Sequence, residues 1–421
     1  MSILEQEIPD GYQKTEIGVI PKSWQSLYLG DLAEIRMCKR VLSWQTSKSG
    51  PIPFFKIGTF GGQPDAFISN SLYNDFKKKF SFPHKGDVLI SAAGTIGKTV
   101  VYDGEDAYFQ DSNIVWLEAD KTKILNEYLY HYYKVINWAS TEGSTISRLY
   151  NGIIKASPIA TPPLKEQIAI ANALSDVDAL LTELEKLIAK KQAIKTATMQ
   201  QLLTGKTRLP QFATYTEGEK QGQLKGTKTS ELGEIPEDWG VFEIGTLFNI
   251  TAGGDLRKNQ FSPIRTDKHS YPIYSNAITN KGLYGYCSTF DYNGEYLTIT
   301  ARGGIGHAVE RDGRFCAIGR LLVLSSKEKN NCKYVAEFAN QYINFANEST
   351  GVPQLTAPQV AKYNIAMPKH EEQTAIATIL SDMDSEIQTL EHRLAKTRQI
   401  KQGMMQELLT GRTRLPFKKD S

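Results

Sequence analysis

Apolar residues recur at alternating three- and four-residue steps along one stretch of the chain: Leu174, Val177, Leu181, Leu184 and Ile188. The same spacing returns at Leu380, Met383, Ile387, Leu390 and Leu394. That rhythm is the seam of a coiled coil, narrower than the apolar face of a helix lying on a globular core. The surrounding residues agree. Both stretches are rich in Leu, Ala, Lys, Gln and Glu, good helix formers, and lack proline inside. Pro162 and Pro368 stand just ahead of them, where proline is tolerated. Gly205 and Gly411 stand where a left-handed residue closes a helix. Each stretch predicts a helix of about 40 residues, a rod of roughly 60 Å at 1.5 Å per residue. Beyond Ile188 and Leu394 the seam drifts. Lys191 and Thr397 fall on the next positions, and Ile194/Ile400, Met199/Met405 and Leu202/Leu408 are expected to take over, as at a stutter.

The two rods are one text written twice. Glu166 matches Glu372 and Pro210 matches Pro416 without a gap, and about half of the positions in 162–210 and 368–416 are identical. Such a period is far longer than the roughly 20–50 residues of a solenoid unit, so a half-molecule is repeated. The openings of the halves rhyme as well. Gly18-Val19-Ile20-Pro21-Lys22-Ser23-Trp24 corresponds to Gly233-Glu234-Ile235-Pro236-Glu237-Asp238-Trp239. Between opening and rod, each half carries about 130 residues rich in Gly, Tyr, Phe, Ser and Thr. Short apolar runs at 87–91, 296–300 and 321–324 read as strands. Stretches 125–138 and 334–346 read as helices, and 211–230 reads as a polar linker. The turn 92–98 aligns with 301–307, while the loops between such landmarks differ. The fold class is α+β. Two globular heads at 1–160 and 211–365, the second including the linker, alternate with helical spacers at 161–210 and 366–421. The matched seams favour mutual pairing of the rods.

Composition sets limits. At 421 residues the chain has room for two to four domains. A net charge of +3 neither demands nor excludes nucleic acid, so any basic surface must be local. The N-terminus has no apolar run resembling a signal peptide, and no stretch of about 18 apolar residues suggests a membrane span. Cys38, Cys287, Cys316 and Cys332 are scattered with no CxxC spacing, which argues against a disulfide framework or zinc site and suits the cytoplasm.

Candidate chemistry is sparse. Methylating a base amino group needs an Asn/Asp-Pro-Pro-aromatic loop to grip a flipped nucleotide. The nearest string, Thr161-Pro162-Pro163-Leu164, has neither the polar head nor the aromatic. Gly94-Thr95-Ile96-Gly97-Lys98-Thr99 imitates a phosphate-binding loop, but the pattern needs glycine at Ala92. His307 stands where Lys98 would recur. An NTPase around Lys98 is thus one rival reading, and a coiled-coil scaffold with protein-binding heads is another. For DNA contact, Arg36, Lys39, Arg40 and Lys48 stand out in the first head, and Arg257, Lys258, Arg265 and Lys268 in the second. Lysine and arginine neutralise phosphates, and arginine also reads guanine. Lys98 and Arg302 join them because their turns occupy matching places. Lys186, Lys190, Lys191 and Lys195 read as the wet face of a rod.

The doubled arrangement resembles the specificity subunit of a Type I restriction–modification system. The residues that carry the resemblance are Pro162-Pro163-Leu164-Lys165-Glu166-Gln167, Leu202-Leu203-Thr204-Gly205 and their partners Glu372-Gln373 and Leu408-Leu409-Thr410-Gly411. The Gly-x-Ile-Pro-x-x-Trp openings add to it. One departure is Pro368-Lys369-His370 in place of Pro162-Pro163-Leu164, which touches only that helix entry. The resemblance covers nearly the whole chain. It implies an antiparallel coiled coil holding two target-recognition domains about a pseudo-twofold axis, each reading half of a split, asymmetric site in double-stranded DNA. It implies a non-catalytic subunit with no cofactor of its own. Two methyltransferase subunits would dock on it, and restriction/translocase subunits would join further out.

Overall fold

A computed structural model of the chain describes residues 8–136, 138, 148–345 and 354–416. Packing divides it into two compact units, 1–185 with 392–421, and 186–391. The units do not follow the order head, rod, head, rod. Each joins one head to the first half of its own long helix and the last half of the other. The long helices are Leu164–Leu202 and His370–Leu408, of 39 residues each.

In the first unit, a four-stranded antiparallel sheet runs in the order Ala33–Arg36, Ile114–Ala119, Val88–Ser91 and Thr99–Val101. A three-stranded sheet centres on Ile52–Phe55, which pairs in parallel with Tyr108–Phe109. In the second unit the four-stranded sheet is Phe248–Ala252, Leu322–Ser326, Tyr296–Ile299 and Ala308–Arg311. A five-stranded sheet there centres on Tyr271–Tyr274, which pairs in parallel with Arg314–Ala317. The head helices are Asn126–Tyr132 and Cys332–Tyr342, both shorter than the sequence suggests. Residues 137 and 346 of the expected helices lie outside the described residues.

The same interlock fastens head to helices in both units. Trp24, 1% exposed, donates its indole N–H to Glu166 at 2.9 Å. Arg414, just past the end of the second long helix, forks onto both oxygens of Glu166 at 2.5 and 2.7 Å. In the second unit Trp239 donates to Glu372 at 3.2 Å, and Arg208 forks onto Glu372 with two 2.7 Å bonds. Gln167 receives the Leu125 amide at 2.9 Å and donates to Pro162 and Lys123 carbonyls. Gln373 does the same with the Asn331 amide and the Pro368 carbonyl. The Glu-Gln pair thus joins helix start, head and the end of the opposite helix. The closing glycines complete the fit. Gly411 sits at φ +70°, and a Cβ there would lie 2.5 Å from the Pro21 ring. Gly205, at φ +69°, would meet the Pro236 ring at 2.3 Å.

Within each unit the helix segments run antiparallel. Asp178 faces Lys401 and Glu185 faces Arg398 in the first; Asp384 faces Lys195 and Glu386 faces Lys191 in the second. Leu174, Leu184, Ile188, Leu380 and Ile387 are buried on the seam, while Val177, Leu181, Met383, Leu390 and Leu394 are half-buried. The drift differs from expectation. Ile194 and Ile400 face solvent, 41% and 49% exposed, while Thr397 is buried and Lys195 and Lys401 are largely covered. The four-residue step falls one place later, and lysines held by aspartates fill the seam. Lys191 and Lys195 therefore bridge helices instead of forming a wet face.

The expected linker is also ordered in part. Thr227–Ser230 pairs with Gly233–Pro236, as Tyr12–Thr15 pairs with Gly18–Pro21 in the first unit. Lys225 reaches Asp238 at 2.8 Å, and the Tyr215 hydroxyl donates to Glu237. A polar segment folds here because these carboxylates collect its donors. Burial works against the Arg208 charge, but its bonds to Glu372 and Asp238 hold its pKa above the usual value.

Arg208→Ala is expected to destabilise the second unit by about 3–5 kcal/mol, the cost of stranding a buried carboxylate. Arg414 leaves 39% of its side chain in water against 10% for Arg208, so Arg414→Ala is expected to cost its unit less. Denaturant unfolding followed by hydrogen exchange in each unit checks the order. Equal losses would show that burial of the arginine does not set the cost.

Candidate nucleic-acid interface

In each head, one long loop leaves the first strand of the four-stranded sheet and leads to the strand that is paired in parallel. In the first head it spans 37–51. Arg36, at the edge of that loop, is tied to Glu118 at 2.7 Å and Glu34 at 2.6 Å. The Lys39 ammonium lies 5.1 Å above the Phe80 ring. Arg40 bonds Asp111 at 2.8 Å yet keeps 66% of its side chain exposed. Lys48 is exposed. Exposed pairs of this kind are worth little in water, so these cations can exchange partners for phosphates.

Arg36 also lines an open groove of about 600 Å³. Lys77 and Lys85 add charge to its rim beside His84, and Phe80 and Phe82 form part of its wall. Lys77, Lys78 and Lys79 end the helix Asn70–Lys79, where the helix dipole favours cations. The run Lys77-Lys78-Lys79 with His84-Lys85 was visible in the sequence but lies outside the loop that drew notice. The fold brings it beside Arg36 and Lys39. Such a groove, basic at the rim with aromatic walls, can follow a sugar–phosphate backbone.

The matching turns carry a second arrangement. In the first head Ala93 bridges Arg148, whose guanidinium donates to Ser112 at 3.0 Å and Asn113 at 3.3 Å. In the second, Arg302 bridges Gln354 and donates to its side chain at 3.0 Å. Each head therefore sets an arginine at this bridge, from opposite sides of it. Arg148 and Arg40 meet on the 111–113 turn. Arg148 carries no local sequence signal, because its place depends on a bridge across 55 residues of chain.

Lys98 plays another part. Its ammonium donates to the Phe60 carbonyl at 2.5 Å. Two amides of the loop are engaged within the turn: Gly97 N–H donates to the Ser91 carbonyl and Lys98 N–H to the Ser91 hydroxyl. The Trp138 indole lies 2.6 Å from where a Gly97 Cβ would stand. In the second head Gly306 N–H donates to the Thr300 carbonyl and His307 N–H to the Thr300 hydroxyl in the same way. The turn is a structural device in both heads, and it leads into the strand Thr99–Val101 where a phosphate-binding loop opens a helix, which weighs against an NTPase around Lys98.

In the second head the corresponding connection spans 253–270 and includes the two-residue strand Phe261–Ser262. Arg257 bonds Asp291, which raises its pKa, and also approaches Thr289. Lys258 begins a short 3-10 turn, Lys258–Gln260. Arg265 and Lys268 are exposed. Arg311, unnoticed in the sequence, is buried, lies 3.7 Å from the Tyr274 ring and donates to the Lys281 carbonyl at 2.6 Å. It braces the turn at 276–282 without facing solvent.

Comparison with known proteins also finds the chain in two copies. A family model described as the Type I restriction modification DNA specificity domain matches residues 21–196 and again 236–401. Two relatives are provisionally named type I restriction enzyme specificity subunits. One, from Haemophilus influenzae, is 53% identical over 169 residues, 40% of this chain and 44% of its own length. The other, from Methanocaldococcus jannaschii, is 27% identical across 96% of this chain and 97% of its own. The crystal structure of a Type I restriction-modification system S subunit from M. genitalium superposes with a TM-score of 0.61 at 16% identity, over 92% of this chain and 96% of that one. That likeness extends the agreement to the fold.

Lys98→Met is expected to free the 58–62 turn by removing its bond to Phe60. Amide exchange at Gly61 and Gly62 should quicken several-fold while the rest of the first head is unchanged. Unaltered exchange there would show that the ammonium does not hold the turn.

Proposed function

The chain belongs to the Type I restriction–modification DNA specificity family, and from that premise we propose that it is a non-catalytic adaptor that reads a bipartite site in double-stranded DNA. Each head reads one half of an asymmetric site. The long helices set the spacing of the halves and dock two methyltransferase subunits, with restriction/translocase subunits joining the complex. The work is cytoplasmic, where the DNA and those partners reside.

One observation carries this reading. The two units share the fastening, the sheets and the turn at 92–98 and 301–307, yet differ in the cationic loops those elements present. A common support with two unlike readers is what recognition of two unlike half-sites requires. Lys77, Lys85, Lys48 and Lys268 are assigned to phosphates, since a lysine is a point charge without planar fit. Arg40, Arg148, Arg265 and Arg302 are the candidates for base edges, because a guanidinium can meet guanine O6 and N7 together. Arg36, Lys39, Arg257 and Lys258 remain candidates for backbone contact, and Lys98 supports the loop beside them.

The test is methylation mapping in cells carrying the chain and its methyltransferase partner. Replacing 18–160 with the corresponding head of a relative is expected to change the bases of one half-site and leave the other. Both halves changing would overturn independent reading. Methylation that persists without the chain would overturn the adaptor itself.

A further inference from the structure

Trp44 and Ile264 lie in the two long cationic segments that join corresponding strands of the heads. Trp44 is 78% exposed, the most exposed large apolar side chain among the described residues, and Ile264 is 67% exposed. Trp24, Trp116 and Trp239 are all buried. Among the described residues no other ring or cation packs on the Trp44 indole.

Neither side chain hangs on slack backbone. Trp44 is the middle residue of the 3-10 turn Ser43–Gln45. The Leu42 amide donates to the Gln45 side chain at 2.9 Å, the Gln45 amide to the Leu42 carbonyl at 2.9 Å, and the Thr46 hydroxyl to the Ser43 carbonyl at 2.7 Å. Ile264 follows Pro263, whose φ is fixed by its ring. The Ser262 hydroxyl donates to the Ile264 carbonyl at 2.7 Å, and Thr266 and His269 close the next turn. Each apolar tip is therefore held out in a fixed direction, at little further cost in chain entropy on binding.

The neighbours say what covers them. Arg40 and Lys48 stand on either side of Trp44 in the chain, and Arg265 and Lys268 follow Ile264 within four residues. An apolar patch on a protein would have to desolvate these charges. A duplex offers both surfaces at once: phosphates outside and stacked, apolar base faces within. Apolar side chains that enter DNA do so as wedges between base pairs, partly unstacking them and kinking the helix.

We infer that Trp44 and Ile264 are wedges, each inserted into one base step of the half-site its head reads, with the neighbouring cations fastened to adjacent phosphates. This rests on the DNA-reading function proposed above. It adds recognition through deformability: the wedged steps should be those that open easily, such as TA or CA/TG. The planar indole of Trp44 stacks more extensively than the branched Ile264, so the first half-site is kinked more.

The experiment uses the full chain with its methyltransferase partner and a duplex bearing the methylation-mapped site, labelled at both ends for energy transfer. Wild type should bring the ends closer together on binding. Trp44→Ala should lose most of that change and weaken binding about tenfold or more, within the range for losing a base–aromatic stack. Trp44→Phe should restore most of both, and Ile264→Ala should give a smaller loss. Binding and energy transfer unchanged in Trp44→Ala would overturn the wedge while leaving DNA reading intact. Loss of the methyltransferase partner from Trp44→Ala with the bend retained would overturn it too, marking Trp44 as a protein contact. Failure of wild type to bind the duplex at all would overturn the DNA reading and the wedge with it.

Discussion

A carboxylate buried at the start of each long helix holds its own unit together. Glu166 and Glu372 are almost wholly removed from water, and a charge so placed is tolerated only with partners of good geometry. Each finds three donors: one indole and two from a forked guanidinium. The indole belongs to the head and the guanidinium to the segment after the opposite helix. No pairwise contact in this set is local, so the charge is satisfied only when head and both helix segments are in place. That coupling makes each unit cooperative and explains why packing cuts both helices midway. The seam repeats the logic more weakly, with Asp178 and Asp384 receiving Lys401 and Lys195.

With the fastening set by so few residues, the rest of each head is free to vary. The strands that lead into the interlock keep their register in both units. Gln25–Tyr28 pairs with Pro158–Thr161, and Gly240–Glu243 pairs with Asn364–Met367. The Tyr128 hydroxyl meets the Ala160 carbonyl as the Tyr334 hydroxyl meets that of Ala366, both at 2.9 Å. Beyond these supports the loops diverge. The first head has the helix Asn70–Lys79 and its lysine-rimmed groove, while the second has extra strands and the turn braced by Arg311.

Much of the fold was legible because its signals are local or repeated. The seam spacing, the prolines ahead of the rods and the closing glycines all lie within short windows, and the second copy confirmed each one. Ile194 and Ile400 misled because an apolar residue one position off a four-residue step looks like the seam. Only the opposing aspartates reveal that Lys195 and Lys401 occupy it. The linker looked loose because its donors find acceptors at Glu237 and Asp238, and sequence spacing does not display such pairing. The motifs themselves were visible, but not that Trp24, Glu166 and Arg414 form one contact. Of the interface, the loop cations were readable as charge. Arg148 was not, since a bridge to Ala93 sets its place, and Lys98 looked free although the Phe60 carbonyl holds its ammonium.

The central claim is that the interlock fastens and the loops read. It is tested most directly by mapping the methylated bases in cells carrying Arg208→Ala, grown at a temperature where the second unit stays folded. The account predicts less methylation at an unchanged site, with the same bases in both halves. A changed base preference in either half-site, with the protein still folded, would contradict it, because a residue of the fastening would then be taking part in recognition.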